Sequence, residues 1–469
     1  MSLVKRTGSN IGWVLISDIA TKGATVFATI YLARVLGVVE FGIFSLGVAL
    51  ASSLWPLVDF GATGYGTREV AHDKSHAKQI ISSLNSMRLM GSVIVLIFAY
   101  IIFQFQDMDS VKQWALICGL LYLIGYSISP DWVIRGIERM KYLAVINFVT
   151  VFIFVIGTII IVHSPDEVIE ASFIRSFSFL AGSIAGLVIL ALNTDIRFRP
   201  VIDFNHWFEL ARKTYIFLFN RLATNLGQFA PFYAVTILYA DEIVGLFAAS
   251  HRLYIIALTA LFAVTSAVYP ILSDLARNKP EQLVEYQQKL IQFLAFLFIP
   301  TGLFCMVFSD DIMRFLFGDK YIDASFSAGL LLLALPVVAI KTIYVFSLLG
   351  SRMETRALQV NVVGVVLQLF LAILLVPSYN LTGAASMMLI GEFMAMCLAY
   401  YYCLTLLGSM RLIDSVVVRI CVISFVVVLI AYALNIKLIW TALLSATLYL
   451  VLSPVVGIVP QSFLRKLKS

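Results

Sequence analysis

The chain has 469 residues, of which 61% are hydrophobic and only 13% are charged, and its mean hydropathy is +0.96. No soluble core can bury that much apolar surface, so a soluble globular protein is excluded and membrane lipids are the expected surroundings. The net charge of +6 comes from basic residues scattered over many short loops, which indicates membrane topology and not nucleic-acid binding.

Apolar runs of roughly 18 to 25 residues recur along the chain, and each is long enough to cross the hydrocarbon layer as a helix. Open strands would leave backbone groups unpaired in lipid, so we expect an all-α polytopic membrane protein with about fourteen transmembrane helices. The first run is too long and too polar for a signal peptide and is expected to remain in the mature protein. The predicted spans begin near residues 10, 39, 82, 113, 142, 171, 213, 243, 286, 325, 357, 382, 414 and 438.

Basic residues are distributed unequally between the two sets of loops. With both termini in the cytoplasm, roughly twenty lysines and arginines lie on the cytoplasmic side and about five on the opposite side. The positive-inside rule therefore predicts that both termini of a multi-pass inner-membrane protein are cytoplasmic. Aromatic residues near the predicted span ends are expected in interfacial belts: Trp114, Tyr122, Trp132, Tyr142 and Trp440.

The sequence repeats itself on either side of its longest loop. Ala20, Thr21, Phe27, Ala28, Tyr31, Leu36, Gly42 and Phe44 match Ala223, Thr224, Phe229, Ala230, Tyr233, Leu238, Gly245 and Phe247. The shared order and nearly constant offset predict two six-helix bundles related by parallel duplication, with a substrate cleft between them. The expected domains are an N-terminal bundle at 1–195, a cytoplasmic amphipathic linker at 196–212, a C-terminal bundle at 213–408, and two additional helices with a basic tail at 409–469.

Charged residues inside the predicted spans are the candidate functional groups. Each costs roughly 2.5 to 3.5 kcal/mol at the bilayer centre, so each indicates a partner or a water-filled cavity. The predicted substrate-binding residues are Lys22, Arg175, Arg221, Arg252 and Lys341, and the predicted ion-coupling residues are Asp18, Asp59 and Glu392. Because cations outnumber carboxylates, the cavity is expected to select an anionic group such as phosphate or pyrophosphate.

Two interpretations remain open for Asp18 and Lys22. The residues are four apart on one helix face, which is compatible with a self-neutralising pair that only tolerates burial. The repeat places Arg221 at the position equivalent to Asp18, which instead favours charges facing one shared cleft.

The other buried charges also allow structural explanations. Asp59 fits either a coupling-ion carboxylate near a kink at Pro56 or a helix-end carboxylate that reaches the interface. Glu392 is expected to pair with a cation from a neighbouring helix in preference to relaying protons. Arginines closer to span ends are expected to extend toward the interface: Arg88, Arg175 and Arg419.

Enzymatic and metal-binding motifs are missing from the sequence. No histidine or cysteine has metal-ligand spacing, and no phosphate-binding loop of the ATPase type occurs. We therefore expect no catalytic residue, no metal and no cofactor, apart from a coupling proton or sodium ion. A membrane-embedded glycan polymerase would need a large periplasmic loop, and the sequence has none.

Several segments carry a family resemblance. They are ARVLGVVEFGIFSLG at 33–47, VDFGATGYGTREVA at 58–71, LLVPSYNLTGAASMMLIGE at 374–392, and the glycine-basic turns GIERMKY at 136–142 and GSRMETRA at 350–357. With them, essentially the whole chain resembles the Wzx-type polysaccharide flippases of the multidrug/oligosaccharidyl-lipid/polysaccharide exporter superfamily. The family has no fixed site motif, so no site residue is carried over.

The resemblance implies a MATE-like fold and a flippase. Such a protein would move an undecaprenyl-pyrophosphate-linked oligosaccharide from the cytoplasmic to the periplasmic leaflet by alternating access, for O-antigen, capsule or another surface polysaccharide. A polysaccharide polymerase and a chain-length regulator are the expected protein partners. The alternative is a cation-coupled multidrug exporter of the same superfamily, which should have an acid-dominated cavity.

Overall fold

The structure is a computed structural model that describes residues 3–73, 77–407, 414–434 and 437–455. Every regular element in these ranges is helical. The chain forms two compact units, Met1–Asn225 and Leu226–Ser469. Large hydrophobic side chains are exposed along many helices, as a surface in contact with membrane lipids requires.

The N-terminal unit is built from α1 (Leu3–Asp59), α2 (Ala62–His72), α3 (Ala77–Gln104), α4 (Ser110–Leu120), α5 (Tyr122–Ile128), α6 (Asp131–Gly136), α7 (Met140–Ile161), α8 (Val168–Asn193) and the first part of α9 (Phe204–Leu238). A short 3₁₀ helix, Pro165–Glu167, precedes α8. Helices α7 and α8 pack against each other and against α1, and α4 and α5 also pack on α8.

The C-terminal unit contains the rest of α9 followed by α10 (Asp241–Asn278), α11 (Pro280–Val307), α12 (Ser309–Leu316), α13 (Ser325–Leu333), α14 (Leu335–Gly350), α15 (Glu354–Leu407), α16 (Ser415–Leu434) and α17 (Leu438–Val455). A 3₁₀ helix, Asp319–Ala324, precedes α13. Helix α14 packs against α10, α11 and α15, while α16 packs against α11 and α17.

Two long helices, α1 and α15, each contain two predicted spans joined at a kink. The kinks lie at Gly37, with φ 78°, and at Asn380, with φ 48°. Positive φ suits glycine and is tolerated by asparagine, so the residue types explain the positions of the breaks. The predicted second and twelfth spans, which start near residues 39 and 382, begin two residues after these kinks.

Each of the fourteen predicted spans has a helical counterpart. Ten stretches of the described chain are long and apolar enough to cross a membrane, and two of them, Thr21–Asp59 and Glu354–Thr405, hold two spans each. The remaining two spans correspond to the shorter apolar helix Leu438–Pro454 and to α9. Predicted span 10 is interrupted between α13 and α14, where Pro336 has no amide hydrogen for the helix ladder.

The segment predicted as a linker packs on the N-terminal unit. The backbone amides of Arg199 and Val201 donate to the hydroxyls of Ser82 and Ser86 on α3, at 3.1 and 2.9 Å. Helix α9 begins inside the predicted linker, and its first turns bury Trp207 in the N-terminal core. The division into the four domains expected from the sequence stays a prediction.

Trp132 corrects one sequence-based expectation. It was predicted in an interfacial belt, but it is fully buried in the core formed by α2, α3, α6 and α7. Its indole Nε1 donates to Asn85 Oδ1 at 3.1 Å. A buried tryptophan needs such an acceptor, and Asn85 supplies it from a different helix.

Candidate functional site

The N-terminal unit contains a buried ion pair between Asp59 and Arg88. Arg88 NH2 lies 2.5 Å from Asp59 Oδ1, and the two side chains are 0% and 4% exposed. The same guanidinium nitrogen donates to Thr63 Oγ1. Because Arg88 is fully enclosed near the middle of α3, the prediction that it extends toward the interface is wrong.

The position of Asp59 follows from the break between α1 and α2. Helix α1 ends at Asp59, and the next two residues, Phe60 and Gly61, have φ of 50° and 75°. The Asp59 carboxylate then accepts from the Thr63 hydroxyl at 2.6 Å and from the Thr63 amide at 3.2 Å. It therefore holds the first turn of α2 as well as the arginine. As in the second interpretation, Asp59 ends a helix, but its side chain is buried against Arg88 and does not extend to solvent.

Aromatic rings complete the enclosure of Arg88. Its guanidinium carbon lies 5.7 Å from the centre of the Trp55 ring, 6.0 Å from Tyr126 and 5.8 Å from Trp132. Cation–π attraction at these distances lowers the cost of burying the charge. Sequence reasoning missed this pair, because Asp59 and Arg88 are 29 residues apart on different helices.

A second buried ion pair lies in the C-terminal unit. Lys341 Nζ on α14 lies 2.5 Å from Glu392 Oε2 on α15, and the side chains are 13% and 9% exposed. Gln368, also on α15, approaches the other carboxylate oxygen at 3.5 Å. The expectation that Glu392 pairs with a cation from a neighbouring helix is confirmed.

Arg175 is half-buried on α8 and packs on aromatic rings. Its guanidinium carbon is 4.9 Å from the centre of the Phe154 ring and 5.9 Å from that of Tyr122. It borders a cavity of about 50 Å³ inside the N-terminal unit, also lined by Ser52 and Ser172. Arg175 makes no ion pair or hydrogen bond with the side chains that the structure describes.

The remaining predicted residues lie on three helices. Arg221 is exposed on α9, and no ion pair joins it to a described side chain. Lys22 on α1 and Arg252 on α10 are half-buried. Asp18 belongs to α1, but its side chain lies outside the described residues. The roles assigned to these residues stay predictions.

His251, next to Arg252, has a structural environment. Its Nε2 lies 2.9 Å from the Gln228 carbonyl oxygen, and its ring packs against Phe229 and Phe232. Among the described residues, no group of three or more His, Cys, Asp or Glu side chains is placed to hold a metal ion.

A family model described as "Polysaccharide biosynthesis protein" matches residues 7–276, which is more than half of the chain. The chain belongs to this family. It is 24% identical over 268 residues to a candidate O-antigen transporter of Shigella dysenteriae, a match that covers 55% of this chain and 64% of that protein. The chain thus spans slightly less than two thirds of that relative. It is 25% identical over 386 residues to a candidate low-salt glycan biosynthesis flippase of Haloferax volcanii, covering 79% and 78% of the two chains.

Solved structures establish the fold. A lipid II flippase, MurJ, in an inward closed conformation superposes with a TM-score of 0.74 at 15% identity and covers 98% of this chain and 100% of its own. An inward-facing multidrug resistance transporter of the MATE family gives 0.68 at 14% identity, covering 85% and 98%. The predicted all-helical, MATE-like fold is confirmed. Ten stretches of the described chain are long and apolar enough to cross a membrane, as a polytopic member of this family with a MATE-like fold requires.

Proposed function

We propose that the protein flips a lipid-linked oligosaccharide, an undecaprenyl-pyrophosphate-linked repeat unit of O-antigen, capsule or a similar polymer. The lipid moves from the cytoplasmic to the periplasmic leaflet by alternating access. Family membership and the names of the two relatives support this substrate class. The positive-inside distribution of basic residues supports cytoplasmic termini.

The observation that carries the proposal is the charge balance within the spans. Asp59 and Glu392, the two predicted carboxylates with described side chains, are already neutralised by Arg88 and Lys341. Arg221 has no such carboxylate among the described side chains. The surplus is therefore cationic, and a guanidinium binds phosphate oxygens with two parallel hydrogen bonds.

Lys22, Arg221 and Arg252 are the residues that we assign to the pyrophosphate. Lys341 is a weaker candidate, because Glu392 already occupies its ammonium group. Coupling to a proton or sodium gradient is assigned to Asp18 before Asp59, since protonation of Asp59 would break its contact with Arg88. A polymerase and a chain-length regulator remain the proposed protein partners.

A cation-coupled multidrug exporter is the second candidate. The MATE structural neighbours favour it at the level of the fold. Binding a cationic drug requires free carboxylates, and Asp59 and Glu392 are both occupied by basic side chains. This pairing favours the anionic lipid-linked substrate.

Polymer export in cells tests the proposal. Arg221→Ala and Arg252→Ala are each expressed in a strain without its own flippase, and surface polysaccharide is measured against membrane-inserted protein. Loss of a charged hydrogen bond to pyrophosphate is expected to lower export by about tenfold or more. The matched control is Arg419→Ala, an exposed arginine on α16, which should export normally. Full export by both Arg221→Ala and Arg252→Ala would contradict the assignment.

A further inference from the structure

The cavity beside Arg175 is a small, partly open space within the N-terminal unit. Its wall comes from α1, α4, α5 and α8, and its volume is about 50 Å³. A single water needs roughly 10 to 15 Å³ measured in this way, so the space accepts a few atoms of that size. A pyrophosphate with its attached sugar is larger than this volume.

Arg175 brings a permanent positive charge to this cavity. It lies seven residues after the start of α8, about 10 Å along the helix axis, within an apolar stretch. Its guanidinium stays charged and carries five N–H donors. The described contacts of this group are with the rings of Tyr122 and Phe154, which accept no conventional hydrogen bond. A half-buried charge in such apolar surroundings needs a counter-charge to offset its partly lost hydration.

Other groups on the wall add donors but no negative charge. Ser172 is 2% exposed, and its hydroxyl has no hydrogen-bond partner among the described residues. The Tyr122 hydroxyl also makes no hydrogen bond within the described chain. The Ser52 hydroxyl is occupied, since it donates to the Val48 carbonyl at 2.8 Å. Among the described residues that line the cavity, none is acidic.

We propose that this cavity is a binding site for a small inorganic anion of the chloride type. The Arg175 guanidinium supplies the counter-charge, and the Ser172 and Tyr122 hydroxyls donate to the ion. The cavity lining contains a cation, two available hydroxyl donors and no described carboxylate. Such a lining binds an anion and not a metal ion. The small volume distinguishes this site from the proposed pyrophosphate site, so the two proposals stand or fall separately.

Chloride binding to the purified full-length protein tests the site. The protein is held in detergent micelles in a gluconate buffer, chloride is titrated in, and the chloride-35 NMR linewidth is measured. Wild type should show saturable excess broadening that Arg175→Gln abolishes. Ser172→Ala should weaken binding by about tenfold, the effect of one hydrogen bond to a charged group. Ser445→Ala and Arg135→Gln are matched controls: the buried Ser445 hydroxyl on α17 donates to the Thr441 carbonyl, and Arg135 is exposed.

The chloride dependence of thermal unfolding gives a second readout. An arginine with a purely structural role would not produce such a dependence. Chloride should raise the melting temperature of wild type and leave that of Arg175→Gln unchanged, because a ligand stabilises only the form that binds it. In gluconate, Arg175→Gln should melt at or above the wild-type temperature, since it removes an uncompensated charge.

Two results would overturn the proposal. The first is a wild-type protein that shows no chloride-dependent broadening, or an Arg175→Gln variant that shows as much broadening as wild type. The second is displacement of chloride by pyrophosphate at the Arg175 site, which would assign Arg175 to the substrate. Neither measurement depends on flipping, so a failed anion site leaves the proposed transport function intact.

Discussion

Replacement of Arg88 by methionine is expected to destabilise the protein by about 3 to 5 kcal/mol. Methionine keeps much of the aliphatic length but leaves Asp59 as a buried carboxylate without its counter-charge. Asp59 would retain its hydrogen bonds from Thr63, which stabilise the carboxylate only in part.

The geometry of the pair sets this magnitude. The shortest contact is 2.5 Å, and both side chains are excluded from solvent. Two unit charges about 4 Å apart attract by about 4 kcal/mol at an effective dielectric constant near 20. Three aromatic rings around Arg88 add cation–π attraction that the variant also loses.

A double-mutant cycle measures the coupling. Arg88→Met, Asp59→Asn and the double variant are unfolded reversibly in mixed detergent micelles, with tryptophan fluorescence as the signal. The double variant should lose about 3 kcal/mol less unfolding free energy than the sum of the two single losses, because neither charge is then left without its partner. Lys289→Met, which breaks an exposed pair with Glu285, is the control and should leave unfolding unchanged.

Additive effects of the two substitutions, within about 0.5 kcal/mol, would refute the reasoning. An Arg88→Met variant with the same unfolding free energy as wild type would refute it too. Either result would mean that Arg88 and Asp59 do not stabilise each other in the membrane-embedded fold.

Two further predictions concern the kink and the second ion pair. Gly37→Ala should lower the unfolding free energy by about 1 to 2 kcal/mol, because φ there is 78° although a Cβ would meet no atom within 4 Å. The control is Gly23→Ala, where a Cβ is equally unobstructed and φ is ordinary for a helix. It should be neutral or stabilising by up to about 1 kcal/mol. Equal effects of the two would contradict the account of the kink. Glu392→Gln should destabilise by about 3 kcal/mol by leaving Lys341 uncompensated, and added Lys341→Met should restore most of the loss in the same unfolding assay. Failure of that rescue would show that the pair is not a stabilising unit.

The helical plan was predictable because it depends on local signals. Run length predicts a span, and the breaks fall where Gly37 and Asn380 adopt positive φ. The sequence did not predict two interruptions within spans: predicted span 4 is divided into α4, α5 and α6, and predicted span 10 into α13 and α14. Pro336 marks one of them, but apolar composition continues across it and hides the break.

The sequence predicted that a buried charge would have an oppositely charged partner, but not which residue the partner would be. Glu392 was expected to find a cation on a neighbouring helix, and Lys341 is that cation. Arg88 and Trp132 were misplaced, because position along a span indicates depth and not the side of the helix that meets a neighbour. Both residues turn inward toward Asn85, which accepts from Trp132 and approaches Arg88. A contact between distant helices leaves no periodic trace in one sequence.

Flipping in proteoliposomes tests the central claim most directly. A fluorescent undecaprenyl-type lipid bearing a pyrophosphate-linked oligosaccharide is placed in both leaflets, and its loss to a membrane-impermeant quencher is followed with time. The protein should accelerate translocation of this lipid, not of the same lipid with an uncharged headgroup, and Arg221→Ala should abolish the acceleration. Equal rates for charged and uncharged headgroups, or transport of cationic dyes without lipid flipping, would contradict a cation-lined flippase.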